Sequence, residues 1–292
     1  MRIRDIWLAA VILLAAAACS GSGLGPGGPG DGGSAPLYGR VTKISGTPVA
    51  GAVLTLQDTG EQTTAGSDGR FRLNTSFRGL GTITVASPGY ATLRTRVHVG
   101  DGQEKLLWLV KPSEYDRDLA CKMFYMNPDC TTNDPLVLRW PGPDIVYTVD
   151  RSPPWASRLD PFLKQAEWYW HMVTAGSYRL VEGVADRYIL VKASDDPCGL
   201  GVLGCARAHL NEQPVRVTIE LHPNAGLSTV VHEFLHALDF WGHGDRPGGI
   251  LYYAGTYPGL DVEAAIFCTK YAAPNGIRFS ELRPPDPPRC HP

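Results

Sequence analysis

From residue 37 onward, short runs of apolar and β-branched residues alternate with turn residues, which is the texture of strands rather than helices. Residues 38–44, 53–57, 70–73, 82–86, 93–99 and 106–110 read as strands. Asp68-Gly69, between residues 63–67 and 70–73, signals a hairpin, because glycine accepts the positive φ of a tight turn. Short strands at regular spacing predict a β-sandwich over residues 37–112. Beyond Pro112 the pattern changes. Residues 145–150 read as a strand, and 160–173 as an amphipathic helix with Phe162, Ala166, Tyr169 and Val173 at helical spacing. Strands follow at 188–192, 202–208 and 215–221, then helices at about 227–239 and 261–271. Strands followed by helices predict an α+β domain over residues 113–292.

The beginning of the chain has neither texture. Arg2 and Arg4 precede an apolar run from Ile6 to Ala18, then Cys19-Ser20-Gly21. Thirteen apolar residues fall short of the roughly 20 that span a bilayer core as a helix. A basic start, a short apolar run and small residues at a cut site describe a secretory leader over residues 1–19. Ala16-Ala17-Ala18-Cys19 resembles the bacterial lipobox, which implies lipidation of Cys19 and an extracytoplasmic, membrane-anchored protein. By the same resemblance Ser20, where Asp would retain the protein, implies the outer membrane or cell surface. Residues 20–36, mostly Gly, Pro, Ser and Asp, read as a flexible tether.

Composition narrows the classes further. Lys+Arg 27 against Asp+Glu 29 leaves a net charge of −2, so nothing points to nucleic acid as a partner. Setting Cys19 aside, six of the seven cysteines remain: Cys121, Cys130, Cys198, Cys205, Cys268 and Cys290. An even number in an exported chain reads as disulfides. Proximity suggests 121–130, 198–205 and 268–290, although six cysteines permit fifteen pairings. None has the CxxC spacing of a zinc or redox site.

Four turn segments carry a resemblance: Gly39-Arg40-Val41, Gly46-Thr47-Pro48-Val49-Ala50-Gly51-Ala52, Asp68-Gly69-Arg70-Phe71 and Ser87-Pro88-Gly89-Tyr90. Residues 37–112 resemble the carboxypeptidase regulatory-like domain, a small transthyretin-like (Ig-like) all-β sandwich. The resemblance brings no catalytic residues and implies a spacer or docking module.

The chemistry lies in His232-Glu233-Phe234-Leu235-His236, in the middle of a predicted helix. Residues i and i+4 share one helix face, so the two imidazoles can meet one ion. Glu233, next to the first ligand, can reach the ion's water. The helix is otherwise apolar (Val230, Val231, Phe234, Leu235, Leu238), and a burying helix has little use for two histidines and a glutamate. Catalytic zinc usually has three protein ligands. His243 offers the third, with Asp239, Asp245 and Glu263 as alternatives.

Residues 140–275 resemble the metzincin zinc peptidases, closest to the matrixin-like branch, which have HExxHxxGxxH and then a Met-turn eight residues beyond the third His. Leu251 lies eight residues beyond His243, within Arg246-Pro247-Gly248-Gly249-Ile250-Leu251-Tyr252. Two features depart from the family. His243 falls eleven residues after His232, where the family has ten, with Asp239 where the family has Gly; and Leu251 replaces the Met. Asp tolerates the positive φ that the Gly supplies, or Gly242 provides the reversal instead. The resemblance implies a Zn2+ cofactor held by His232, His236 and His243, with Glu233 as general base. It implies a substrate-binding edge strand carrying Val202, Leu203, Gly204, Cys205 and Ala206, and aligns Tyr253 with an oxyanion-stabilising tyrosine of astacin- and serralysin-like relatives. The expected partner is a peptide or protein substrate. Two rivals stand beside this reading: a gluzincin-like site with Glu263 as third ligand, and a surface peptide-binding protein with a decayed peptidase domain.

Overall fold

The computed structural model describes residues 35–125, 130, 133–209, 215–252 and 255–292. Cys19, the leader, nearly all of the tether, and Tyr253 lie outside the described residues.

Seven strands build the N-terminal part: β1 (Ala35–Thr42), β2 (Val53–Leu56), β3 (Gln62–Thr64), β4 (Arg70–Thr75), β5 (Gly79–Ala86), β6 (Leu93–Val99) and β7 (Lys105–Trp108). They form one sheet in the order β4-β1-β7 and a second in the order β3-β2-β5-β6. Along β4, exposed Arg70, Arg72 and Asn74 alternate with buried Phe71, Leu73 and Thr75. That period of two turns one set of side chains onto Val41, Leu54, Leu56, Ile83 and Val85, all at most 1% exposed. The all-β sandwich expected from the strand pattern is present.

One pairing differs from expectation. β3 pairs with β2, and β4 pairs with β1, so Asp68-Gly69 joins the two sheets rather than the arms of a hairpin. The local chemistry is that of a turn. The Asp68 carboxylate accepts from Arg70 N, and Gly69 has φ +75. A Cβ on Gly69 would fall 2.4 Å from Val41 O, so a neighbouring strand enforces the glycine. A turn residue reports a reversal of the chain; it does not report which strands then pair.

The second part holds α1 (Arg117–Phe124), β8 (Leu136–Val137), β9 (Asp144–Asp150), α2 (Asp160–Val173), β10 (Arg179–Glu182), β11 (Arg187–Ala193), β12 (Gly204–His209), β13 (Val215–Leu221), α3 (Leu227–Ala237), α4 (Asp261–Ala272) and β14 (Ile277–Arg278). Its main sheet runs β10-β9-β11-β13-β12. The first four strands are parallel, and β12 lies antiparallel to β13 at one edge. α2 and α3 pack on each other and on this sheet, with Tyr147 of β9 edge-on to Phe234 of α3 at 5.6 Å. β8 and β14 form a separate antiparallel pair.

The predicted α2 and β13 match the observed bounds, and the α+β class holds for this region. Val202 and Leu203 fall in the turn before β12 rather than in the strand, and α3 stops at Ala237. α1, β10 and the small β8–β14 pair had no counterpart in the pattern. Three disulfides join Cys121 to Cys130, Cys198 to Cys205 and Cys268 to Cys290, which is the proximity pairing. No helix among the described residues is long and apolar enough to cross a membrane.

Candidate metal centre

α3 buries Val230, Val231, Phe234, Leu235 and Ala237 against the sheet and α2, which fixes the direction of its remaining face. His232 and His236, one turn apart, project from that face. His232 Nδ1 donates to Ile250 O at 2.8 Å, and His236 Nδ1 donates to Phe240 O at 2.6 Å. A carbonyl oxygen carries no proton, so each Nδ1 must hold one, and each neutral imidazole keeps its lone pair on Nε2.

Those two Nε2 atoms lie 3.0 Å apart, and His243 Nε2 lies 3.1 Å from that of His232. The three histidines form a group whose ligating atoms all lie within 4.8 Å of one another. With both Nδ1 protons committed, the His232–His236 contact has no proton to share, and two lone pairs facing each other call for a cation. Nitrogens 2.0–2.1 Å from a tetrahedral zinc stand roughly 3.4 Å apart. The donor set therefore fits zinc, since imidazole suits this ion and the backbone carbonyls orient two of the rings.

His243 reaches this place through the segment after α3. Asp239 takes φ +67 and carries the reversal, whereas Gly242 does not have a positive φ. Gly242 serves a close approach instead. Its N–H donates to Met123 O at 2.9 Å, and a Cβ there would fall 1.8 Å from Lys122 O. Lys122 pairs with Asp245 and Arg246 with Asp116, which pins the segment just after His243 to α1 and its N-cap. The segment between His236 and His243 thus packs against a helix that the sequence pattern did not announce.

Glu263 is not part of the histidine group. Its carboxylate, 1% exposed, accepts from Ile250 N at 2.8 Å, Leu251 N at 3.2 Å and Leu260 N at 2.9 Å. Gly249 and Gly259 close around it, since a Cβ on either would lie 2.7 or 2.8 Å from a Glu263 oxygen. Asp245 is spent on Lys122, and the Asp239 carboxylate faces Arg187 at 4.0 Å. Leu251, fully buried, follows Ile250, whose carbonyl accepts from His232.

Burial sets the electrostatics. Desolvation, partly offset by the Ile250 bond, lowers His232 to about 4. Desolvation and the neighbouring His232 lower His236 to about 3, and burial lowers His243 as well. All three are therefore neutral, ligand-competent imidazoles at neutral pH without a metal. Burial also pushes the Glu233 carboxyl up to about 8.

Glu233 faces the start of the edge strand. A Cβ on Gly204 would lie 2.7 Å from Glu233 Cγ and from Thr229 Cγ2, so only glycine lets β12 pass this close. Cys205 ties the strand to Cys198, whose N–H donates to Glu220 and whose carbonyl accepts from Arg207. Val202 and Leu203 form a half-exposed lip before Gly204, with Ala206 two residues into the strand.

Three of the other histidines have ordinary partners. His171 bonds Thr95, His209 bonds Thr218, and His222 accepts from Asn224 N. Sequence reasoning missed Ile250 and Phe240, because they act through main-chain oxygens. It placed Gly204 on the edge strand without the close approach to Glu233 that the glycine permits, and it also missed Met123 and the bracketing role of Glu263. The glycines at 249 and 259 around a buried loop were the available signal for the last.

Comparison with known proteins is decisive for one part of the chain. Residues 36–108 match the carboxypeptidase regulatory-like domain. No curated protein matches the chain. Among solved structures, two interface mutants of a type II cohesin–X–dockerin complex from Acetivibrio cellulolyticus align at 17% and 20% identity, with TM-scores of 0.21 and 0.20. Each alignment covers 25% of this chain and 51% of the other, so the chain spans about half the length of those structures.

Proposed function

We propose that this chain is a zinc-dependent endopeptidase of metzincin type, with His232, His236 and His243 as zinc ligands and Glu233 as general base. The observation that carries it is the convergence of three imidazole Nε2 atoms, two of them on rings whose Nδ1 protons are committed to carbonyls. Zinc held there would supply Lewis-acid polarisation of a scissile carbonyl and a more acidic water. Glu233 takes a proton from the attacking water and returns it to the leaving amine. Its burial makes it a stronger base than a solvated glutamate, and a cation alongside would favour its ionised form.

β12 offers a sheet edge beginning at Gly204, beside Glu233, where an extended peptide can add as a strand. Val202 and Leu203 would then line the entrance, and Cys205 and Ala206 the strand itself. Tyr253, two residues beyond Leu251, is assigned as oxyanion donor by resemblance to the family. Cys19 is assigned as the lipidated residue that anchors the enzyme outside the cytoplasm. The gluzincin rival loses support because Glu263 is spent on three main-chain N–H groups. The decayed-peptidase rival is disfavoured by an intact Glu233 beside three intact ligands.

The test is metal content by elemental analysis together with cleavage of a peptide library. One zinc per chain and chelator-sensitive cleavage are expected. Zinc without cleavage would favour the binding-protein rival, and no zinc would refute the reading.

A further inference from the structure

The β-sandwich touches the second part at places that lead back to the histidines. Ser45, in the turn after β1, donates from both N and Oγ to the Asp261 carboxylate, at 2.9 and 2.7 Å. Lys43 Nζ lies 3.6 Å from the same carboxylate and 2.6 Å from Glu114. Asp261 opens α4, and Glu263 follows two residues later in the same turn. Glu263 holds Ile250 N, and Ile250 O receives the Nδ1 proton of His232. Ile250 is thus held at its N–H by Glu263, two residues after the Asp261 that the sandwich bonds, and at its carbonyl by His232.

A second route runs through aromatic packing. Trp108, which closes β7 and is 5% exposed, lies 4.4 Å from Trp168, 6.1 Å from Tyr169 and 6.5 Å from Tyr257. Tyr257 follows the loop that carries Ile250, and its N–H donates to Ser228 Oγ at the start of α3, the helix of His232 and His236. The sandwich therefore touches this segment through Trp108, while Glu263 and α3 hydrogen-bond to it.

We propose that the β-sandwich is a positioning element of the metal centre, with Lys43 and Ser45 acting through Asp261, Glu263 and Ile250 on the orientation of His232. The inference rests on the zinc reading above. A spacer would need no bond to α4, whereas this module bonds the helix that carries the bracket of a ligand-orienting carbonyl. Removing a group that bonds a metal ligand directly weakens metal affinity 10–100-fold. An effect relayed through three further contacts should be smaller, roughly three- to tenfold in the same measure.

The experiment measures zinc affinity of the full chain by competition with a chromophoric chelator, well below the unfolding temperature. Lys43→Met with Ser45→Ala should weaken zinc by that factor, and Lys43→Met with Ser45→Thr, which restores the hydroxyl, should recover part of it. Arg40→Ala breaks the exposed Arg40–Glu104 pair elsewhere on the sandwich and should leave affinity unchanged. A wild-type chain that binds no zinc refutes the metal reading itself. A wild-type chain that binds zinc, with a Lys43→Met, Ser45→Ala variant of equal affinity, overturns this inference alone. A lowered melting temperature with unchanged zinc affinity also overturns it, because the sandwich would then only stabilise the fold.

Discussion

Glu233 sits one residue after His232, 6% exposed, against a strand that has glycine at the point of closest approach. Those facts separate its role from that of the histidines, because nothing in the geometry requires it to hold the ion. Glu233→Gln keeps the volume and removes the base, so zinc should stay near one per chain. Turnover should fall by about 10²–10⁴-fold, the usual contribution of a general base. Near-normal hydrolysis by the Gln variant would remove Glu233 from the mechanism. At this scale the sequence was most informative where the group brought into the proposed site is a side chain. HExxH named His232, Glu233 and His236, and a third histidine at nearly the right distance named His243. It could not name Ile250 or Phe240, since any residue supplies a carbonyl and only the fold decides which one meets an imidazole.

At the scale of elements, legibility followed length and periodicity. α2 and α3 carry an apolar face through three or more turns, and both were readable. α1 has eight residues, capped by the Asp116 side chain on Leu119 N, and offers too few turns for a stripe to stand out. That short helix nevertheless decides where His243 goes. Gly242 presses onto it so closely that a methyl group would fall 1.8 Å from Lys122 O, main-chain atoms that cannot swing aside. Gly242→Ala should therefore push the 240–244 segment away from α1, at a cost of about 1–3 kcal/mol typical of overpacking. Zinc affinity should drop by tenfold or more, with the change confined to His243 rather than α3. A Gly242→Ala protein with wild-type zinc affinity would show that α1 does not place the third ligand. The misassigned hairpin at Asp68-Gly69 belongs to this scale too. Its turn chemistry was sound, but pairing depends on β1 and β2, which come earlier in the chain and compete for the two arms.

Over the whole molecule, residues 34–292 form one compact unit, so the metal and the fold should be linked thermodynamically. An ion that binds only the folded chain stabilises it by about 4.1 kcal/mol at a thousandfold excess over the dissociation constant. Chelation should accordingly lower the melting temperature, and the size of the drop should depend on pH in a direction set by the buried groups. Without metal, folded Glu233 keeps its proton up to about 8, against 4.5 for an ordinary glutamate. Zinc favours the ionised carboxylate, so binding releases that proton and affinity rises with pH across this interval. His232 and His236 take up protons in the folded chain only near 4 and 3, so they begin to reject zinc only there. In the unfolded chain they charge near 6.5, which makes the metal-free fold less stable as pH drops below that value. The gap between loaded and chelated melting temperatures should be widest near pH 8, narrow but still present at pH 5, and gone by about pH 3. Differential scanning calorimetry with and without chelator at those pH values measures it. A gap that vanished near pH 6.5 would mean that the ligands are ordinary solvated histidines, and the buried three-histidine centre would be refuted.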